Sequence, residues 1–166
     1  RFGDERGWFS ETFNAETLRG ALGGAVFVQD NQSLSRVRGT LRGMHFQRPP
    51  RAQDKLVRVL RGSVLDVAVD IRRASPTYGK WVSAKLTAEK GEQLFVPNGF
   101  AHGFLTLEPD TEVLYKVSDY YSREHEEGLV WDDPSVGIDW TLAADEISMA
   151  DRDRNLPSFA ALAAHF

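Results

Sequence analysis

Two histidines occupy similar places in two glycine-led stretches of the chain. Five residues separate Gly39 from His45, and Gly91 is followed by a Pro97–Gly99 turn and then by His102. The second stretch predicts a strand, a tight turn and another strand that aims His102 into the interior of the fold. Imidazoles placed in this way either bind a metal ion or transfer protons, or they are simply hydrogen-bonded core residues.

Both stretches resemble the two signatures of the cupin jelly rolls. In that class, the first signature supplies two histidines one residue apart and then a glutamate. Here Gln47 stands where the second histidine belongs, and no glutamate follows before Gly62. Two imidazoles and a glutamine make a poor site for a catalytic divalent metal. The resemblance therefore implies a jelly roll without a metal or other cofactor, and it disfavours a metal-dependent isomerase or dioxygenase.

The elements that must position these histidines are mostly short strands. Runs rich in Val, Leu, Phe and Tyr recur at a spacing of about ten residues, which is typical of a sandwich or barrel. Turn signals such as Arg61-Gly62 and Lys90-Gly91 separate them. The predicted strands are Val26–Gln29, Lys55–Leu60, Ser63–Ile71, Trp81–Leu86, Glu92–Val96, Gly103–Leu107 and Glu112–Val117.

Two short helices complete the predicted fold. One covers Asn14–Leu22, with Asn14 as N-cap and Gly23-Gly24 as its end, and the other is an amphipathic helix over Pro157–Phe166. The chain shows no repeat or linker. We therefore predict an all-β, cupin-like jelly-roll double-stranded β-helix that forms a single domain over residues 1–166, with short helices near the N-terminus and at the C-terminus.

Composition narrows the class of function. The chain has no cysteine, which excludes disulfides and thiolate chemistry and fits a cytoplasmic protein. A net charge of −4 argues against nucleic-acid binding, and no apolar run approaches a membrane span. The charged residues within 36–61 are all basic except Asp54, and those within 124–153 are all acidic except Arg152. The basic stretch suits either a small anionic substrate or an ordinary solvated surface.

Beyond the cupin signatures, further motifs lie along the whole chain: Phe2–Glu11, Gln29–Ser33, Leu41–Gln47, Asp54–Val57, Asp66–Arg72, Ser75–Trp81, Pro97–Phe104, Tyr115–Lys116 and Trp131–Pro134. In their residues and their order, these motifs resemble the dTDP-4-dehydrorhamnose 3,5-epimerase family. The resemblance implies epimerisation beside the ketone of a dTDP-linked 4-keto-6-deoxyhexose. Relatives that invert only one carbon share most of these motifs.

The chemistry of such a reaction gives each catalytic candidate a role. A 4-ketone acidifies the hydrogens on C3 and C5, so the enzyme needs a base, a stabiliser of the enolate oxygen and an acid on the opposite face. The resemblance implies that His45 is the base, Lys55 the cation beside the enolate and Tyr115 the acid. It also implies that an aspartate near the C-terminus orients His45. We assign this aspartate to Asp151, and nearby Asp153 is the alternative.

Nine further residues are expected to bind the substrate. Arg6 and Arg42 suit the diphosphate, and His102, for which Asp66 is a candidate partner, suits the ketone or sugar. The resemblance also implies a homodimer with exchanged N-terminal strands, so that part of each site comes from the partner. The remaining candidates are the aromatics, which are otherwise core residues, and the polar side chains suited to thymine or sugar hydroxyls: Phe9, Tyr120, Tyr121, Glu11, Gln29 and Asn31.

Two other functions stay open at this point. A single-carbon epimerase would use the same residues, because small changes in the pocket decide which proton moves. A non-catalytic sugar-binding jelly roll would need neither a base nor an opposite-face acid, so retention of both disfavours it.

Overall fold

Nearly all regular structure in the computed structural model, which describes residues 1–166, is β. Short connections join the strands. These are β1 (Phe2–Asp4), β2 (Gly7–Phe9), β3 (Gln29–Ser35), β4 (Leu41–Gln47), β5 (Lys55–Arg61), β6 (Ser63–Asp70), β7 (Trp81–Thr87), β8 (Gln93–Val96), β9 (Phe100–Thr106), β10 (Thr111–Val117) and β11 (Glu126–Gly128).

Two antiparallel sheets form the body of the molecule. One has the strand order β3-β10-β5-β8 and the other the order β11-β4-β9-β6-β7. Strands that are distant in sequence are neighbours in both sheets, which is the connectivity expected of a jelly roll. The predicted fold class is confirmed. The hairpin of β1 and β2 pairs only with itself and belongs to neither sheet.

The hydrophobic core has two parts, which lie on opposite faces of β6. All residues of β6 are buried, because each of its two faces is covered by a different layer. Val64 packs with Val57, Val113 and other residues between the two sheets. Residues of the opposite parity, such as Val67, pack outward against the C-terminal part of the chain, including Trp140. The uniform Val-rich run Ser63–Asp70 is the sequence signature of a strand that is buried on both sides.

A β-bulge in β4 decides which of its side chains reach the interior. The pairing with β9 slips by one residue between Arg42 and His45. The slip brings both side chains, which are three residues apart, to the same cavity wall. Gly43 has φ +133°, and a Cβ atom there would lie 2.5 Å from the Cα atom of Gly103. This close approach requires glycine at position 43.

Most predicted strands agree with the structure to within three residues, but β4 and β11 were not predicted. In β4, the polar residues and Gly43 interrupt the apolar pattern. The strand predicted at Val26–Gln29 begins only at Gln29, and Val26 is exposed.

Both helix predictions were too long. The N-terminal helix is only α1 (Ala15–Leu18), although Asn14 caps it as predicted by accepting hydrogen bonds from two backbone N–H groups. Pro157–Phe166 contains a single 3-10 turn at Phe159–Ala161, because Leu162 packs into the core and the chain hydrogen-bonds to Arg73. A further helical turn, α2 (Asp151–Arg154), precedes this C-terminal segment and contacts β4. Neither helix has the length and apolarity needed to cross a membrane.

Candidate active site

A cavity of about 400 Å³ opens between the two sheets. The basic and acidic stretches meet here, because β4 and β5 supply the cations and the C-terminal segment supplies an acid. The lining residues are Gln32, Ser33, Arg42, His45, Lys55, His102, Phe104, Tyr115, Ala150, Arg152 and Asp153. The cavity therefore brings together the predicted base, cation and acid, and two of the predicted substrate-binding residues.

His45 forms a hydrogen-bonded pair with an acid of α2. Its Nε2 atom lies 2.9 Å from Oδ1 of Asp153. Burial raises the pKa of Asp153, but the hydrogen bond and charge of His45 and the N–H of Gly43 outweigh burial and hold this pKa below its ordinary value. An ionised aspartate fixes the orientation of the imidazole and stabilises the imidazolium that forms when His45 takes a proton.

Asp153 therefore corrects the assignment of Asp151 as the orienting acid. Asp151 is exposed, and its backbone carbonyl accepts hydrogen bonds from Asn155 at the end of the same helical turn. One turn of helix carries Asp153 inward while Asp151 points to solvent.

A second histidine–aspartate pair lies deeper in the same cavity. His102 on β9 and Asp66 on β6 face each other across neighbouring strands, with 2.7 Å between Nε2 and Oδ1. Both residues are buried, and the other carboxylate oxygen of Asp66 has no hydrogen-bond partner. The pairing suggested from the sequence is confirmed.

Lys55 is a buried cation that links the two sheets. Its Nζ atom donates to the backbone carbonyl of His45 over 3.1 Å. Burial lowers the pKa of Lys55 to about 8, although the charges of Asp66 and Glu126 oppose this shift. A desolvated ammonium beside the base is well placed to stabilise a developing oxyanion, because electrostatic interactions are strong where water is excluded.

Tyr115 lies on β10, in the sheet opposite to that of His45, so that the two side chains line the cavity from facing sheets. Burial raises the pKa of the phenol, the charge of Glu126 raises it further, and Arg42 opposes both. The phenol therefore remains protonated at neutral pH and can act as a proton donor.

A second cavity, of about 230 Å³, shares His45, Lys55 and Tyr115 with the first. Its other walls are mainly amide and phenol groups, and they include the predicted Gln29, Asn31 and Tyr121. Glu126, which sequence reasoning missed, accepts hydrogen bonds from Tyr121 and Arg152 at the boundary of the two cavities. It lies on the unpredicted strand β11, which explains the omission. The residues that line this cavity are Gln29, Asn31, His45, Phe46, Gln47, Gln53, Lys55, Tyr115, Tyr121 and Glu126.

The predicted N-terminal residues do not line either cavity within one chain. Arg6 pairs with Asp4, and Glu11 accepts a hydrogen bond from Asn14. Phe9 is 70% exposed on the hairpin. Tyr120 is also exposed and follows Asp119 near the mouth of the second cavity.

Both the nitrogen and the oxygen of the Gln47 amide bond the backbone. The amide donates to the carbonyls of Arg51 and Tyr120 and accepts from the N–H of Ser122. Both cavity histidines are likewise paired with aspartates. The structure contains no group of three or more His, Cys, Asp or Glu side chains arranged to hold a metal ion.

The fold and the site define a jelly-roll protein of the cupin type with an acid–base centre of histidine, lysine and tyrosine. A family model described as dTDP-4-dehydrorhamnose 3,5-epimerase matches residues 1–161, and the chain belongs to this family. It is 52% identical over 166 residues to a dTDP-4-dehydrorhamnose 3,5-epimerase from Sinorhizobium fredii, covering 100% of this chain and 85% of the relative.

Solved structures agree with this result. The dTDP-4-dehydrorhamnose 3,5-epimerase from Bacillus anthracis with TDP and PPi bound matches with a TM-score of 0.91 and 46% identity, over 95% of this chain and 89% of that one. The dTDP-6-deoxy-D-glucose-3,5-epimerase from Legionella pneumophila in complex with dTDP-4-keto-L-rhamnose matches with a TM-score of 0.92 and 43% identity, over 98% and 86% of the two chains.

Proposed function

We propose that this protein epimerises C3 and C5 of dTDP-4-dehydro-6-deoxy-D-glucose to give dTDP-4-dehydro-L-rhamnose. The observation that carries the proposal is a base and an acid on facing sheets of one cavity, His45 and Tyr115, with Lys55 between the sheets. Membership of the 3,5-epimerase family supports the choice of both carbons. A non-catalytic sugar-binding protein would not need this arrangement.

The reaction follows from the roles of three side chains. His45 takes the proton from the carbon beside the ketone. The electron pair of the broken C–H bond moves towards the C4 oxygen, which forms an enolate. The ammonium of Lys55 stabilises that oxygen, and Asp153 stabilises the imidazolium of His45. Tyr115 then gives a proton to the opposite face of the same carbon, which inverts it. A second round at the other carbon completes the double epimerisation.

The nucleotide is proposed to lie along the second cavity. Gln29, Asn31 and Tyr121 supply donors, acceptors and a ring suited to a thymidine. The exposed Tyr120 is proposed as a further aromatic contact. Arg42 on the wall of the first cavity supplies a cation for the diphosphate, and His102 a polar group beside the sugar.

The hairpin of β1 and β2 supports the proposal of a homodimer with exchanged N-terminal strands. Phe2, Trp8 and Phe9 are all more than half exposed, and such apolar surface on an isolated hairpin favours pairing with another chain. In that dimer Arg6, Phe9 and Glu11 would enter the partner's site. Sedimentation should report twice the mass of the chain, and deletion of residues 1–13 should reduce both assembly and activity; a fully active monomer would contradict the dimer.

We further propose that the reaction needs no metal. We also propose that the protein acts as one domain in the cytoplasm, and that its partner is a small nucleotide sugar and not a nucleic acid or a membrane. Engagement of Gln47 by the backbone supports the first point, because its amide has no free atom for a metal. Turnover after exhaustive chelation should equal that of untreated protein.

The function is tested by incubating the protein with dTDP-4-keto-6-deoxyglucose in deuterated water. NMR should show deuterium at both C3 and C5 of the rhamno-configured product. Label at one carbon only would identify a single-carbon epimerase, and absence of label and inversion would refute the proposed enzyme. The Tyr115→Phe variant supplies a second test. His45 would still form the enolate and could return deuterium to the same face, which would give labelled substrate without inversion.

A further inference from the structure

The connection between β10 and β11 carries both predicted tyrosines. This segment, Ser118–His125, which we call the tyrosine segment, contains no helix or strand. The rings of Tyr120 and Tyr121 are 57% and 52% exposed. Exposed aromatics on an irregular segment would ordinarily be mobile, and binding a ligand on them would cost the entropy of ordering the segment.

Besides Gln29, which accepts from the N–H of Tyr121, one buried side chain holds the backbone of this segment on both sides of Tyr121. Gln47, at the end of β4, is only 4% exposed. Its Nε2 atom donates to the carbonyl of Tyr120 over 3.2 Å and to that of Arg51 over 2.6 Å. Its Oε1 atom accepts from the N–H of Ser122 over 2.7 Å. The two bonds to the tyrosine segment lie on either side of Tyr121.

The turn after β4 reinforces this attachment. Gln53 donates to the carbonyl of Asp119 over 2.7 Å, and the guanidinium of Arg51 pairs with the Asp119 carboxylate at 3.0 Å. Because Arg51 itself accepts from Gln47, the amide of Gln47 ties the turn and the tyrosine segment to the strand that carries His45.

We propose that Gln47 is a positioning residue for nucleotide binding, which holds the tyrosine segment so that Tyr121 stays in the wall of the second cavity, with Tyr120 next to it in the chain. The inference rests on the proposed function for the identity of the ligand, a thymidine diphosphate. Gln47 acts through the backbone of the segment, since both the nitrogen and the oxygen of its amide already bond backbone groups.

The hydrogen-bond pattern explains why this position suits glutamine. Two carbonyls need donors and one N–H needs an acceptor, and a primary amide supplies both kinds of group from one side chain. An ionised glutamate has no donor, and a neutral histidine has only one. The position at which the cupin signature has a second histidine is therefore used here to order a binding segment.

The test compares the Gln47→Glu variant with the wild type. A carboxylate would face the carbonyls of Arg51 and Tyr120, so the tyrosine segment should detach and KM and the Kd for dTDP should both rise about tenfold. The kcat at saturation should stay within about twofold, because His45, Lys55 and Tyr115 are untouched. Gln53→Met, which removes a different bond to the segment, should shift KM and Kd in the same direction by less.

Thr111→Val is the matched control. The buried Thr111 also donates its side chain to a backbone carbonyl, that of Glu108, but it lies in neither of the two cavities. Its KM and Kd should equal those of the wild type. A Gln47→Glu variant with unchanged KM and Kd, or with kcat and stability lowered and KM unchanged, would overturn the inference.

A double-mutant cycle separates positioning from direct contact with the ligand. In a protein that already carries Tyr120→Ala and Tyr121→Ala, Gln47→Glu should no longer change the Kd for dTDP. A rise in Kd as large as in the wild-type background would show that Gln47 does not act through the tyrosines. These Kd values are measured with dTDP alone, so they decide the role of Gln47 even if the wild type fails to epimerise the proposed sugar, which would refute the function instead.

Discussion

The two histidine–aspartate pairs of this protein contain the same groups at similar distances but have different surroundings. In His45–Asp153, the imidazole is 26% exposed and the aspartate comes from a helical turn beside the cavity. In His102–Asp66, both partners lie on neighbouring strands and are at least nine-tenths buried. The first pair can exchange a proton with a ligand, whereas the second is enclosed by the sheet. In the proposed mechanism, a histidine–aspartate pair transfers protons at the cavity wall, while a second such pair in the core stabilises the fold and offers the sugar a fixed polar contact.

The largest expected effect is that of His45→Ala on the reaction. Removal of a general base lowers the rate by about 10² to 10⁴-fold, so turnover and solvent exchange at C3 should both be lost. The measurement is deuterium incorporation followed by NMR, with binding of dTDP as the control for an intact site. Exchange at the wild-type rate would show that His45 is not the base.

Asp153→Asn should lower kcat by about 10²-fold, because an amide neither stabilises the imidazolium nor fixes its orientation as a carboxylate does. Asp151→Asn, two residues away in the same helical turn, is the matched control and should leave kcat unchanged. Steady-state kinetics of the two variants decide between these aspartates. If Asp151→Asn were the more damaging change, the assignment of Asp153 would be wrong.

His102→Ala should chiefly affect stability. It leaves the buried carboxylate of Asp66 without its partner, which should cost about 3 kcal/mol in the free energy of unfolding. His165→Ala, which breaks a pair with Glu127 nearer the surface, should cost less than about 1 kcal/mol. Denaturant unfolding measures both variants. Equal losses would mean that the buried pair is no more structural than the outer one.

The smallest effect is a dependence on pH above neutrality. Lys55 must carry its proton to stabilise the enolate, and its pKa is about 8. The value of kcat/KM should therefore fall about tenfold per pH unit above that value. Tyr115 titrates higher, because burial raises its pKa.

The ionisation of Lys55 does not unfold the protein at high pH, so unfolding would not explain this decline in kcat/KM. The pKa of Lys55 has its ordinary value of 10.5 in the unfolded chain, so the unfolded state holds more protons than the folded state between about pH 8 and 10.5. Through this group, stability rises with pH while activity falls. A pH profile measured alongside denaturant unfolding tests both signs, and a flat profile to about pH 10 would remove Lys55 from the mechanism.

The sequence by itself determined the fold class and the family, and it predicted most of the side chains that are proposed to be catalytic. Its signals were local: the Val-rich run of β6, the turn at Pro97–Gly99 before His102, and the spacing of His45 and Lys55 along consecutive strands. Such patterns persist in the fold because side-chain alternation and turn chemistry depend on near neighbours in the chain.

Only the tertiary structure decided which groups meet. The choice of Asp153 over Asp151 depends on how one helical turn faces β4, and the contribution of Glu126 depends on the pairing of β11 with β4. The short C-terminal turn likewise reflects packing of Leu162 in the core, which outweighed an amphipathic helical pattern. In each case the contact joins residues that are far apart in sequence, and local propensity is too small an energy to specify it.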